Sequence, residues 1–309
     1  MKILFIDHEF HLKTKSADFF VSILKKAFDV TEHYYSCYYR TGAHHAMQDH
    51  DAAVIWEFPI SRNRFYIPGK RNIFVPMYDN EWGSYWQWKR IAWSGMGVIS
   101  FCDKVTRHAR RCGVKNILDV RYFPEADKLP QELGDPRRVF LWERGDVTRA
   151  FAETLFPPAE GYVFETKGKD DFWPREDYVK RLSACGVVIA PRKKEGIGMA
   201  YLEAMAMGKC VVAHNDATMN EYIEDGKTGL LFGTDIAASI SPIAVARVRE
   251  NLSAAIESHS ARWRADAQKI NAFIASQAPC RPSLFNRFRI AVTYPLYLFE
   301  GLLWRLRHG

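Results

Sequence analysis

The stretch Glu195-Gly-Ile-Gly-Met-Ala-Tyr-Leu-Glu203-Ala-Met-Ala-Met-Gly208 places two carboxylates eight positions apart, with glycines close behind the first. Just upstream, Cys185-Gly-Val-Val-Ile-Ala-Pro191 is a short apolar run with the character of a buried strand. Downstream, Gly208 stops an Ala, Met and Leu stretch that favours helix, and Cys210-Val-Val-Ala213 starts the next strand. The order is strand, acidic glycine-rich turn, helix, strand. In an open parallel sheet, ligands sit at the turn that follows a strand's carboxyl end. Gly196 and Gly198 let the backbone approach a ligand closely. A helix starting near Gly198 aims unpaired N–H groups and partial positive charge at the same spot, which suits phosphate.

The two glutamates then differ in depth. Glu195 lies in the turn, and Glu203 lies slightly more than one turn inside the helix. Carboxylates accept well from pairs of sugar hydroxyls. An anion-binding helix end between two such carboxylates suits a nucleotide-sugar, with its diphosphate in the middle. A surface turn with a glutamate favoured by the helix dipole explains Glu195 alone, but not Glu203 in so apolar a helix.

The segment resembles the E-x7-E signature of GT-B glycosyltransferases, in particular the retaining glycosyltransferase family 4. The family's Pro-Ser-x-x-Glu-Gly-Phe-Gly corresponds to Pro191-Arg-Lys-Lys-Glu195-Gly-Ile-Gly198. Its Glu-Ala-Met-Ala-x-Gly-x-Pro-Val-Val corresponds to Glu203-Ala-Met-Ala-Met-Gly208-Lys-Cys-Val-Val212. A later family element matches Glu221-Tyr-Ile-Glu-Asp225-Gly226-Lys-Thr-Gly229-Leu-Leu231. The likeness is dense over residues 178–232. It implies that Glu195 contacts the transferred sugar and Glu203 the ribose, with Gly196, Ile197, Gly198 and Met199 lining the donor.

The family also places a Gly-Arg pair, and a Lys five positions after the Arg, at the start of its second domain to hold the donor diphosphate. Here the expected strand Arg138-Val-Phe-Leu-Trp142 runs into Glu143-Arg144-Gly-Asp-Val-Thr-Arg149. Arg144 and Arg149 keep the spacing, with Arg for Lys and Glu143 for Gly. A pair of solvated surface arginines is the alternative. Arg bridges phosphate oxygens bidentately where Lys acts as a point charge, so the exchange keeps charge and changes geometry.

With 309 residues, 48% of them hydrophobic, the chain has material for two cores. A net charge of +7 points to an anionic partner. The basic residues are spread along the chain and no zinc-finger or RNA-binding fingerprint occurs, which argues against a nucleic-acid partner. Cys37, Cys102, Cys112, Cys185, Cys210 and Cys280 are scattered without a C-x-x-C pair, the usage of free thiols in a reducing cytoplasm. Met1-Lys-Ile-Leu-Phe-Ile6, ended by Asp7, reads as a first strand and is too short for a signal peptide.

Further strands are expected at 30–35, 52–57, 73–76, 97–101 and 117–121, with a helix over 16–28. The Pro- and acid-rich stretch 124–136 reads as a linker. The expected fold is α/β with GT-B architecture, two Rossmann-like domains facing a cleft. Residues 1–132 form the acceptor-side domain, 133–276 the donor domain and 277–309 an amphipathic tail.

The first domain lacks the Gly-Gly pair many family members carry after the first strand and has Asp7-His8-Glu-Phe-His11-Leu-Lys13-Thr-Lys15 instead. Asp7 and His8 are acceptor-side candidates, or an ordinary strand-end turn. So are Asp79 and Glu81, with Trp82, Trp86, Trp88 and Trp93 as sugar-stacking rings or as a core-facing helix. The tail alternates Phe, Tyr, Leu and Trp with Arg287, Arg289, Arg305 and Arg307. Its apolar centre, interrupted by Pro295 and Glu300, is shorter than the ~20 residues a spanning helix needs. It fits an interfacial helix on anionic lipid, or a segment that packs back on the first domain.

The expected function is transfer of a sugar from a nucleotide-diphosphate donor to a lipid-linked or saccharide hydroxyl acceptor. Family likeness implies retention, no metal and no cofactor; the free thiols point to the cytoplasm, and the tail to its inner membrane face and to surface polysaccharide or glycolipid assembly. A nucleotide-sugar-binding protein without transfer activity, or a GT-B epimerase, is the alternative.

Overall fold

The computed structural model describes residues 1–36, 48–57, 65–79, 84–171, 173–233 and 239–308. The candidate Glu81, together with Cys37 and Trp82, lies outside the described residues. The chain forms two compact α/β units, Met1–Val120 with Asp266–Gly309, and Arg121–Ala265. The change of unit falls ahead of the 124–136 stretch, and the chain returns to the first unit at Asp266.

The first unit is a six-stranded parallel sheet of β1 (Lys2–His8), β2 (Asp29–Tyr35), β3 (Ala52–Glu57), β4 (Arg71–Pro76), β5 (Gly97–Ser100) and β6 (Ile117–Asp119). Their order is β2-β1-β3-β4-β5-β6. Continuous apolar runs such as Ile3-Leu-Phe-Ile6 and Ala52-Ala-Val-Ile-Trp56 are buried throughout, as a sheet covered on both faces requires. Phe5, Phe20, Trp56 and Phe101 pack together, with Phe20 and Trp56 centroids 5.0 Å apart. The helices are α1 (Phe10–Thr14), α2 (Asp18–Lys25), α3 (Tyr85–Ser94) and α4 (Asp103–Arg111).

The second unit is a five-stranded parallel sheet of β7 (Asp135–Trp142), β8 (Val163–Lys167), β9 (Cys185–Ile189), β10 (Cys210–His214) and β11 (Leu230–Phe232). Its order is β11-β10-β9-β7-β8. Helices α5 (Arg149–Leu155), α6 (Arg175–Ala184) and α7 (Met199–Ala206) connect the strands. Val139, Leu141, Val187, Ile189, Val212 and Leu252 are among the buried side chains of its core.

The long helix α8 (Pro242–Ser276) begins in the second unit and ends in the first, where Asn271 donates to the Ile23 carbonyl at 2.9 Å. Beyond it, α9 (Leu284–Val292) and α10 (Tyr294–His308) pack on α3. The Glu300 carboxylate accepts from Ser84 Oγ, from the Tyr85 amide at 2.9 Å and from the Trp86 amide at 3.2 Å, satisfying orphan donors at the start of α3. No described helix is long and apolar enough to cross a membrane.

Candidate functional site

In both sheets the first strand lies between the second and the third. That makes the gap between the first and third strands the place where the connections diverge to opposite faces, and a crevice opens there at the carboxyl ends. In the second unit the flanking strands are β7 and β9, paired at Leu141 and Ile189. Arg144 follows β7 and the Glu195–Gly198 turn follows β9, so the two sequence elements meet across one crevice. Their loops are bonded, the Lys193 amide donating to Asp146 Oδ2 at 3.3 Å.

The turn is held from behind. Glu195 is almost fully buried, and its carbonyl accepts from Thr218 Oγ1 at 3.0 Å. Gly198 (φ +84°) is the N-cap of α7, in the left-handed region that favours glycine. Tyr201, fully buried one turn on, fills the space where a side chain at 198 would stand.

The cations are arranged differently from the sequence spacing. Arg144 lies over the Trp142 indole, 4.8 Å from its centroid, and shares that ring with Lys167, 4.2 Å away. Lys167 ends β8, is nearly buried and donates to the Asp171 carbonyl at 2.6 Å. Burial pulls its pKa below the ordinary lysine value; Asp171 opposes this and the nearby Arg144 adds to it. Arg149 instead turns along its own helix. It donates to Glu153 at 2.7 Å and to Thr166 at 3.1 Å, and lies 4.1 Å from the Phe164 centroid. Glu143, in the place of the family's glycine, accepts from the Arg149 amide at 2.6 Å and so caps α5. Sequence reading missed Lys167; its signal was a Lys-Gly pair closing a short alternating strand.

Glu203 points its carboxylate at Arg175, at the start of α6, in a two-pronged ion pair with one contact at 2.8 Å. That hydrogen bond raises the Arg175 pKa against the opposing effect of burial. Any ligand hydroxyl that reaches Glu203 meets this pair. Within the turn Gly196 and Ile197 are buried, and Met199, which starts α7, is half-buried.

At the corresponding crevice of the first unit, Asp7 is the penultimate residue of β1 and its neighbour β3 ends in Glu57. His11, on α1, bridges them, with Nδ1 2.6 Å from Asp7 Oδ1 and Nε2 2.9 Å from Glu57 Oε2. Glu57 has φ +63°, an uncommon conformation that aims its side chain off the strand end. Of the expected pair, Asp7 joins this cluster by its side chain and His8 by its backbone amide, which donates to Asp7 Oδ1 at 2.7 Å. His8 closes the local turn, its ring nitrogen accepting from the Phe10 amide at 3.1 Å and its ring edge-on to Tyr35.

Burial raises the Asp7 pKa, against the hydrogen bond from His11. For His11 burial favours the neutral ring, but the hydrogen bonds to Asp7 and Glu57 outweigh it and lift the pKa to about 10. Because the folded value lies above the ordinary 6.5, this pairing stabilises the fold fully below pH 6.5 and its contribution is lost as pH rises towards 10. A carbon NMR titration is expected to show His11 as imidazolium through neutral pH; a midpoint near 6.5 would show that the two carboxylates do not hold it.

Of the other acceptor candidates, Asp79 is half-buried beyond β4. Trp88 is in the core against Phe74, and Arg289 of α9 covers Trp93, so these two rings serve packing. Among the described residues, all five cysteines are buried free thiols.

Residues 171–255 match the family model of glycosyl transferases group 1, a span that contains Arg175, Glu195, Glu203 and Thr218. No curated protein matches the chain significantly in sequence. Among solved structures, HepE of Anabaena in complex with UDP and glucose has a TM-score of 0.56 at 14% identity, covering 89% of this chain and 98% of that one. Sucrose-phosphate synthase from Thermosynechococcus elongatus has a TM-score of 0.50 at 12% identity, covering 100% and 99%. A glycosyltransferase from Rickettsia africae has a TM-score of 0.50 at 12% identity, covering 96% and 98%. The two parallel-sheet α/β units are those of the GT-B fold. The match to the group 1 glycosyl transferase model falls within the second unit.

Proposed function

We propose that the chain is a retaining glycosyltransferase of the family 4 type. It moves a sugar from a nucleotide-diphosphate donor to a hydroxyl on a lipid-linked or saccharide acceptor, in surface polysaccharide or glycolipid assembly at the cytoplasmic face of a membrane. The observation that carries this reading is the convergence of Arg144 and the Glu195–Gly198 turn on the β7/β9 crevice, tied together through Lys193 and Asp146. The neighbour solved with UDP and glucose supports a nucleoside diphosphate-sugar as the ligand class.

In this mechanism the bond between the anomeric carbon and the β-phosphate oxygen breaks as the acceptor oxygen bonds to that carbon. Negative charge develops on the departing diphosphate and is met by Arg144, by Lys167 beside it on the Trp142 ring, and by the amides at the start of α7, with Arg149 joining only on leaving Glu153. The leaving phosphate oxygen takes the acceptor proton. Glu195 holds the sugar and Glu203 the ribose, and no metal ion takes part. The first unit supplies the acceptor side, where His11 and Glu57, slightly exposed above the buried Asp7, stand at a strand end.

The test is a screen of nucleotide-sugars by melting temperature in the presence of EDTA, followed by proton NMR of the anomeric signal during turnover. A stabilising donor that is consumed with retained configuration supports the reading. Stabilisation with no turnover until manganese or magnesium is added contradicts the metal-free mechanism. Stabilisation with no turnover under any metal condition assigns the protein to nucleotide-sugar binding alone, and epimerised product assigns it to the epimerases.

A further inference from the structure

The tail is inside out for a soluble helix pair. Its face towards the first unit holds Ile290, Thr293, Tyr294, Tyr297 and Glu300, at helical spacing. Arg90, itself buried, lies 5.3 Å from the Tyr294 centroid and 5.5 Å from that of Tyr297. Glu300 caps α3. The face turned away from the unit is apolar: Leu284 is 82% exposed, Phe285 60%, Phe288 62%, Val292 47%, Phe299 59% and Leu302 53%. These residues form one stripe along α9 and α10, roughly 30 Å long at ~1.5 Å per residue. A contiguous exposed stripe of large apolar side chains marks an interaction surface.

Charge selects the occupant. Residues 281–309 contain five arginines and a single acid, Glu300. Arg281, Arg287 and Arg289 are exposed beside the stripe, whereas Glu300 is spent on the α3 cap. The outer surface is therefore apolar and cationic, without an acid of its own. A second copy docking on this face by two-fold symmetry would bring both sets of arginines into one interface with nothing in the stripe to pair them. An anionic bilayer supplies both needs, hydrocarbon for the phenylalanines and leucines and phosphates for the guanidinium groups.

We propose that the outward face of α9 and α10 is a docking surface for an anionic lipid bilayer, lying in its interface with Phe285, Phe288 and Phe299 inserted. The purpose of this surface rests on the lipid-linked acceptor reading, whereas its test does not. Full-length protein is floated with phosphatidylcholine vesicles, alone or mixed with phosphatidylglycerol, at low and high salt. The parent is expected to float with the mixed vesicles at low salt, less at high salt, and not with phosphatidylcholine alone. The triple variant Phe285→Ser, Phe288→Ser, Phe299→Ser alters only exposed positions, so its circular dichroism and melting curve should match the parent. Its vesicle partition is expected to fall by at least roughly a hundredfold, since three large apolar rings that would leave water on insertion are lost. A second variant, Arg287→Gln with Arg289→Gln, should lose most of the salt dependence. The proposal is overturned if the parent stays out of the mixed vesicles, or if the folded triple variant floats as well as the parent. It is overturned as well if light scattering shows a dimer that the triple variant dissolves, because the stripe then covers a second copy. Transfer activity is not read in any of these arms, so failure of the donor-site reading and failure of this surface are separable.

Discussion

Replacing Gly198 by alanine is expected to destabilise the second unit by roughly 2–5 kcal/mol and to abolish nucleotide binding with it. Two costs combine. The residue has φ +84°, where a side chain costs about 1–2 kcal/mol. The added Cβ would also stand 1.8 Å from Tyr201 Cε1. Tyr201 is fully buried and has no room to retreat, so either the ring leaves its site or the turn opens. Opening the turn moves Glu195 and the first amides of α7 together. Gly208 is the control: it has φ +76° with nothing within 4 Å of a built Cβ, so alanine there costs the conformational term alone. Thermal unfolding of the two variants side by side is the measurement. If Gly198→Ala is no less stable than Gly208→Ala, the packing against Tyr201 does not hold the turn.

The same turn shows why part of this protein can be read from its sequence. Strand, turn, helix and strand lie consecutively between Cys185 and His214, so each local preference agrees with the final fold. The buried parallel strands were legible because two covered faces demand unbroken apolar runs, and Ala52–Glu57 was expected with the bounds found. Edge strand β8 was not anticipated. Val163-Phe-Glu-Thr-Lys167 is short and half polar, and only its pairing with β7 declares it.

Side-chain partnerships across the sheet were equally hidden. Asp7 and Glu57 become neighbours because β1 and β3 pair in register, and His11 joins them only once α1 has folded back over the strand end. Arg175 reaches Glu203 from a different helix, which no spacing announces. Arg144 and Arg149 kept the family's interval, yet Arg149 found a carboxylate one turn along its own helix and Arg144 found the company of Lys167 on Trp142. The tail was legible as amphipathic but not as to which side faces the protein. That was decided by Glu300, whose carboxylate satisfies the amides of α3 and turns the apolar side outward.

Glu195→Gln is expected to lower kcat by about a hundredfold to a thousandfold while leaving nucleoside diphosphate affinity and melting temperature nearly unchanged, the loss typical of one group aligned on the transition state. The amide keeps the size and shape of the side chain, and two contacts that hold the turn are made by backbone carbonyls. The Glu195 carbonyl is held by Thr218 Oγ1, and the Lys193 carbonyl two residues earlier lies 3.2 Å from His214 Nδ1. The substitution therefore removes charge while keeping these backbone contacts. As the diphosphate leaves, the sugar gains positive character, and a buried carboxylate beside it stabilises that state more than it stabilises the bound donor. Glu203→Ala should behave the other way. On the proposed assignment of Glu203 to the ribose, removing that charged acceptor costs about 1.5–3 kcal/mol in nucleotide binding, with kcat at saturating donor little changed. The measurement is kcat and KM for the donor, with the Kd of the nucleoside diphosphate determined in parallel for both variants. A fall in affinity for Glu195→Gln with unchanged kcat, or a fall in kcat alone for Glu203→Ala, would reverse the two roles. Unchanged constants in both would place the sugar and the nucleotide elsewhere in the second unit.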